Sequence, residues 1–196
     1  MPIYAMGNPV AAAAAVLAWI GIGVVMATSR RAATGDASGG ARRDLSSLLG
    51  IALQSIGIAA AWFGQIRISP RVTSAVVSDG APAAALALLS LALFIWAAAA
   101  MGANWSLVAR TRADHKLVRD GPFALMRHPI YVALFGMLAA TAIALGHAPN
   151  LIVAAPLYIV GTLMRVGSEE KLLRVAFGEA YEAYARRVKR FIPGIW

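Results

Sequence analysis

Long stretches of this chain carry no Asp, Glu, Lys or Arg, and they come in lengths that a lipid bilayer selects. A helix needs about 20 apolar residues to cross a hydrocarbon core. By that measure the first span lies near 9–28, the second near 45–66 and the third near 82–102. A fourth run, from His128 to Val166 with Arg165 as its one such charge, is too long for a single helix. It holds Gly146-His147-Ala148-Pro149-Asn150 at its middle, and Gly with Pro marks a turn. The run therefore divides into a hairpin of two shorter helices, near 130–146 and 150–165. The expected fold is all-α, a polytopic membrane protein of about five transmembrane helices.

Composition supports this reading. The chain is 60% hydrophobic and 14% charged, against about 25% charged in a soluble domain. There is no cysteine, which excludes disulfides, thiolate metal sites and a cysteine nucleophile. The three histidines, His115, His128 and His147, lack the close helical spacing of a zinc site, so no metal is expected.

Sixteen of the eighteen lysines and arginines fall in 29–44, 103–128 and from 165 onward; Arg67 and Arg71 fall on the other side. The positive-inside rule then places the amino terminus outside and the carboxyl terminus in the cytoplasm. The expected location is a prokaryotic inner, or cytoplasmic, membrane. The net charge of +9 is a topology signal, and no nucleic-acid partner is expected, because the basic residues are dispersed along membrane edges without a binding module. The apolar amino terminus lacks the basic flank of a signal peptide and reads as a retained span. Residues 34–43, rich in Gly, Ser and Ala, read as a connector. The stretch from Ser168 to about Lys189 reads as one amphipathic helix, with Leu173, Phe177, Tyr181, Tyr184 and Val188 at helical spacing. Pro193-Gly194 ends it, and Phe191, Ile195 and Trp196 suit an interfacial anchor. The whole, 1–196, reads as a single membrane domain, with three amino-terminal helices in 1–101 and the chemically capable residues in 102–196.

Those capable residues come in a fixed order: Asn104-Trp105-Ser106, His115-Lys116-Leu117-Val118, Gly121-Pro122-Phe123, Arg127-His128-Pro129-Ile130-Tyr131, Glu169-Glu170, Phe177-Gly178-Glu179, Tyr181, Tyr184 and Pro193. Polar residues beside membrane spans usually mark function. In order and spacing they resemble the integral-membrane methyltransferases related to isoprenylcysteine carboxyl methyltransferase and to phospholipid methyltransferases. The resemblance covers roughly Gly102 to Pro193; the first hundred residues match only as generic membrane helices.

The resemblance implies S-adenosyl-L-methionine as cofactor, held in a cytoplasmic pocket made by the loop, the hairpin and the last helix. It points to His115, Lys116, Leu117, Val118, Phe123, His128, Pro129, Ile130, Tyr131 and Glu169 as the cofactor-binding set, and to Arg165 as the substrate-side arginine. Phe123 departs from the family, whose residue there is often tyrosine, so one hydroxyl contact would be missing.

The chemistry is intelligible from the side chains. His115 and His128 can hydrogen-bond a carboxylate or ribose, Glu169 can bind an ammonium or hydroxyls, and Leu117, Val118, Phe123, Pro129 and Ile130 can hold a flat base. Arg165 can hold an anionic group by a two-pronged bond. Arg165 and Glu169 are thus the catalytic candidates, and the partner is a lipid-like or small amphiphilic acceptor within membrane lipid, whether carboxylate, amine or thiol. Oligomeric state is left open.

Plainer roles compete. Arg165 suits a snorkelling helix end or an i,i+4 pair with Glu169. Glu169 and Glu170 suit the first turn of a helix, His128-Pro129 a helix start, His115 a headgroup contact and His147 turn punctuation. Two other functions compete as well: an NADPH-dependent, sterol-reductase-like enzyme, and a non-catalytic membrane binding or assembly protein.

Overall fold

The computed structural model describes residues 5–32, 45–102 and 117–195. The regular secondary structure of these residues is helical: α1 (Pro9–Ala32), α2 (Leu45–Trp62), α3 (Ser74–Met101), α4 (Pro129–Ala144), α5 (Leu151–Phe177) and α6 (Glu179–Arg187), with short 3-10 turns at Gly121–Ala124 and Ala148–Asn150. Four stretches, Pro9–Ser29, Leu45–Trp62, Ser74–Met101 and Ala148–Phe177, are long and apolar enough to cross a membrane, and Pro129–Ala144 is a shorter apolar helix. This is an integral membrane protein.

Helix ends differ from the sequence expectation where capping and continuity override hydropathy. α3 begins at Ser74 rather than near 82, because the Thr73 hydroxyl accepts from Val76 N at 3.3 Å and caps it. The expected helix from Ser168 to Lys189 is not a separate element. α5 runs unbroken from the hairpin to Phe177, and the chain turns at Gly178, whose φ of +47° favours glycine. Glu169 and Glu170 therefore sit within a continuous helix, not in a first turn.

Packing sorts the helices against their order in the chain. α1, α3 and α4 share a core built largely of alanine: Ala11, Ala15 and Ala18 meet Ala83, Ala87 and Phe94, with Met137 and Ala140 between them. Small residues let helix backbones approach and gain dispersion contacts where lipid offers no hydrophobic drive. α2 packs instead along α5, in a second cluster of Ala61, Ala154 and Tyr158. α4 joins the two by presenting Met137 and Ala140 to one core and Leu138 and Ala142 to the other. Exposed Leu17, Ile20, Leu88, Leu89, Ile152 and Val153 face outward, as a lipid-facing surface requires.

The α2–α5 contact is the tighter device. A Cβ on Gly161 would lie 2.6 Å from the Gly50 carbonyl oxygen, and one on Gly57 would lie 2.8 Å from that of Ala154. Only glycine admits backbones this close. At the hairpin tip Gly146 takes φ +77°, Asn150 Nδ2 donates to the Ala60 and Phe63 carbonyls, and His147 is fully buried with Nε2 3.2 Å from Gln65 O. The expected turn is present and docked on the end of α2.

Candidate functional site

Opposite the hairpin tip, the loop before α4, the middle of α5 and the segment after α6 converge. Gly121 takes φ +61°, and a Cβ there would lie 3.1 Å from Trp96 Nε1 and 3.2 Å from Ala100 Cβ, so glycine lets the loop lie on α3. Phe123 is buried, and its carbonyl accepts from the Tyr184 hydroxyl at 2.7 Å. Burial pushes that hydroxyl up to about 12, so it stays a donor. The chain after α6 then runs beside the loop: Arg127 N donates to Lys189 O at 2.8 Å and His128 N to Arg190 O at 3.0 Å. α6 and this strap thus hold the loop from the side away from α3.

Two adjacent glutamates organise the interior. Successive residues of an α-helix point about 100° apart, so Glu169 and Glu170 face different neighbours. Glu170 is 1% exposed and accepts from Arg127 Nη2 at 2.8 Å and from Arg190 through Nε at 3.0 Å and Nη2 at 2.8 Å. Arg174 Nη2 is a further 3.5 Å contact. This two-pronged bond to Glu170 pushes the Arg190 guanidinium above its ordinary value. Glu170 thereby ties the loop, α5 and the strap together.

Glu169 faces α4. It accepts from the Tyr131 hydroxyl and lies 3.5 Å from Arg165 Nη2. Arg165 stacks over the Tyr131 ring at 5.2 Å and donates from Nη1 to Gln54 Oε1 at 3.1 Å. His128 bridges the two carboxylates, with Nδ1 3.8 Å from Glu169 Oε2 and Nε2 3.4 Å from Glu170 Oε1. It is 6% exposed and occupies the position before α4, with Pro129 in the first turn. Helix start and polar junction are therefore one residue.

Of the residues expected from sequence, the structure brings His128, Tyr131, Arg165 and Glu169 into one cluster. Phe123 lies in the supporting loop and Pro129 is buried at the start of α4. Leu117 and Val118 are half-buried at the start of the loop, and Ile130 packs toward the alanine core. His115 and Lys116 lie outside the described residues. Among the described residues, no group of three His, Cys, Asp or Glu side chains is placed to hold a metal ion.

Arg127, Glu170 and Tyr184 stood in the sequence motif without a place in the expected site, and Gln54 and Arg190 stood in neither. Gln54 had a signal: an amide in the middle of an uncharged span needs a partner. Arg127 and Arg190 offered only their charge, with nothing in the sequence to pair them to Glu170.

The sequence model of the isoprenylcysteine carboxyl methyltransferase family matches residues 83–175, from within α3 nearly to the end of α5. Through this region the chain is similar to the isoprenylcysteine carboxyl methyltransferase family. It is 31% identical over 113 residues to the protein-S-isoprenylcysteine O-methyltransferase of Schizosaccharomyces pombe, an alignment covering 56% of this chain and 48% of that one. Against the cobalt-zinc-cadmium resistance protein CzcN of Cupriavidus metallidurans it is 36% identical over 111 residues, covering 54% and 49%. The protein-S-isoprenylcysteine O-methyltransferase B of Arabidopsis thaliana is 32% identical over 84 residues, covering 43% of each chain. The chain thus spans about half the length of the first of these relatives. The family region contains His128, Tyr131, Arg165, Glu169 and Glu170, whereas Gln54, Tyr184 and Arg190 lie outside it.

Proposed function

We propose that this protein is a membrane methyltransferase that uses S-adenosyl-L-methionine to methylate the carboxylate of a lipid-like amphiphile. The observation that carries the reading is the pairing of Arg165 with Glu169 and Tyr131 on helices of the membrane body.

The donor set fits the cofactor. Glu169 suits an ammonium, His128 a carboxylate or hydroxyl, and Phe123 with Pro129 an apolar ring; the Arg127 Nε, buried and without a hydrogen-bond partner among the described residues, is a further donor in the same place. Bound there, S-adenosyl-L-methionine supplies an electrophilic methyl group on a sulfonium. What the chain must supply is position and dryness, because methyl transfer is an in-line displacement. Arg165 would hold the acceptor's anionic group, and the surrounding apolar helices would keep its lipid part and exclude water.

The state of the two carboxylates favours a carboxylate acceptor over an amine. A protonated amine must lose a proton, and both glutamates are already engaged, Glu170 by Arg127 and Arg190 and Glu169 by the Tyr131 hydroxyl. A carboxylate needs no base. The basic flanks support a cytoplasmic orientation of the site, in a prokaryotic cytoplasmic membrane, and the continuous α4 bridge supports one membrane domain over the whole chain.

Calorimetric titration of the detergent-purified protein with S-adenosylhomocysteine and, separately, with NADPH tests the reading. Binding of S-adenosylhomocysteine alone is expected, followed by methyl ester formation on an amphiphilic carboxylate. Binding of NADPH alone would replace the reading with a reductase, and binding of neither would leave a non-catalytic membrane protein.

A further inference from the structure

We infer that Gln54, on a helix outside the family region, is a positioning residue that orients the Arg165 guanidinium toward the acceptor; the inference rests on the reading of Arg165 as the acceptor's anion holder. Gln54 stands in the middle of α2 and is 6% exposed. An amide at that depth is costly unless both of its ends are bonded. Both are: Nε2 donates to Thr162 Oγ1 at 2.8 Å, and Oε1 accepts from Arg165 Nη1 at 3.1 Å. Thr162 and Arg165 are both on α5, so one side chain of α2 fixes the tip of the arginine relative to its own helix.

The stem of the arginine is held as closely as its tip. A Cβ on Gly50 would lie 2.6 Å from Arg165 Cγ and 2.7 Å from Gly161 O. The arginine thus crosses α2 in a notch that only glycine leaves open, and Gln54 grips its end one turn further along. The Tyr131 ring lies against the guanidinium from α4.

A purely structural partner for a buried arginine would be a close carboxylate. Among the described residues Glu169 stands at 3.5 Å and also accepts from the Tyr131 hydroxyl, whereas the Gln54 amide oxygen lies closer to the guanidinium, at 3.1 Å. The neutral amide orients the cation without cancelling its charge. That arrangement serves an anionic ligand, since the field that attracts it is kept.

The test compares binding of oleate and methyl oleate to the detergent-purified full chain, with S-adenosylhomocysteine affinity as the check on an intact site. Wild type is expected to prefer the carboxylate. Gln54→Met, similar in size and without the amide, is expected to lower that preference about tenfold by losing one orienting bond to a charged group. Gln54→Glu is expected to abolish it, because the new charge neutralises Arg165, while S-adenosylhomocysteine still binds. A structural role predicts the reverse for Gln54→Glu, whose ion pair with Arg165 would leave the preference intact or the helices more firmly joined. If Arg165→Ala removes the preference and both Gln54 variants keep it, the positioning role is overturned and the acceptor reading survives. No preference in wild type would overturn both, and loss of S-adenosylhomocysteine binding in both Gln54 variants would make Gln54 structural.

Discussion

The two helical groups are held together by opposite means. α1, α3 and α4 meet through alanines at near-zero exposure, with a single polar link, Trp19 Nε1 to Thr141 Oγ1 at 2.9 Å, among their described side chains. α2 and α5 meet through glycines and an amide, and α5 goes on to carry the arginine and both glutamates. The first group buries little polarity, chiefly Ser90 and Thr141. The second accepts the cost of buried polar groups, and Gln54, Thr162, Arg165, Glu169 and Glu170 each meet a partner from another element. The contrast teaches that most of the buried polar cluster rides on one helix pair, and that the alanine group is the frame against which α4 holds Tyr131 and His128.

The contrast is broken most directly at its most connected residue. Glu170→Ala would strand Arg127 and Arg190 around an empty buried position, at a cost of about 3–5 kcal/mol. A marked fall in melting temperature with loss of S-adenosylhomocysteine binding is expected; unchanged melting would show that the strap is held by its backbone bonds alone. Next in size, Gly161→Ala puts a methyl 2.6 Å from the Gly50 carbonyl and is expected to cost about 1–3 kcal/mol. It should lower both thermal stability and the carboxylate preference, because α2 must move away from Arg165.

Ala87→Leu sharpens the same comparison from the other side. Ala87 is fully buried between α1 and α4, and overpacking it should cost a similar 1–3 kcal/mol, roughly. Cofactor affinity of the folded fraction should stay the same, and a selective fall would mean that the frame is not separate from the site. The smallest effect is expected for Tyr184→Phe, which removes the bond to Phe123 O, worth about 1 kcal/mol. Titration should show S-adenosylhomocysteine affinity reduced about fivefold, and a null result would mean that Trp96 and Ala100 alone seat the loop.

Much of this was legible in the sequence where a single local rule decides. Bilayer thickness fixes the length of an apolar run, so the spans were readable from residue type alone. Gly146 and Pro149 marked the hairpin turn because few other residues serve there. His128, Arg165 and Glu169 stood out as polar groups beside apolar runs, and Tyr131 through the family resemblance. The end of α5 was not legible, because charge returns at Arg165 while the helix continues to Phe177, and hydropathy cannot see a helix leave the membrane.

By itself, then, the sequence determined a helical membrane protein and its hairpin, and it named four members of the polar cluster. Only the tertiary structure decided that α2 leaves its sequence neighbours to pair with α5, that Gln54 meets Arg165 across 111 positions, and that Glu170 joins Arg127 to Arg190. The physical reason is that apolar spans are nearly interchangeable as strings, since lipid satisfies each of them equally. Which pair can bring backbones together depends on glycines facing glycines, and which charges meet depends on that approach.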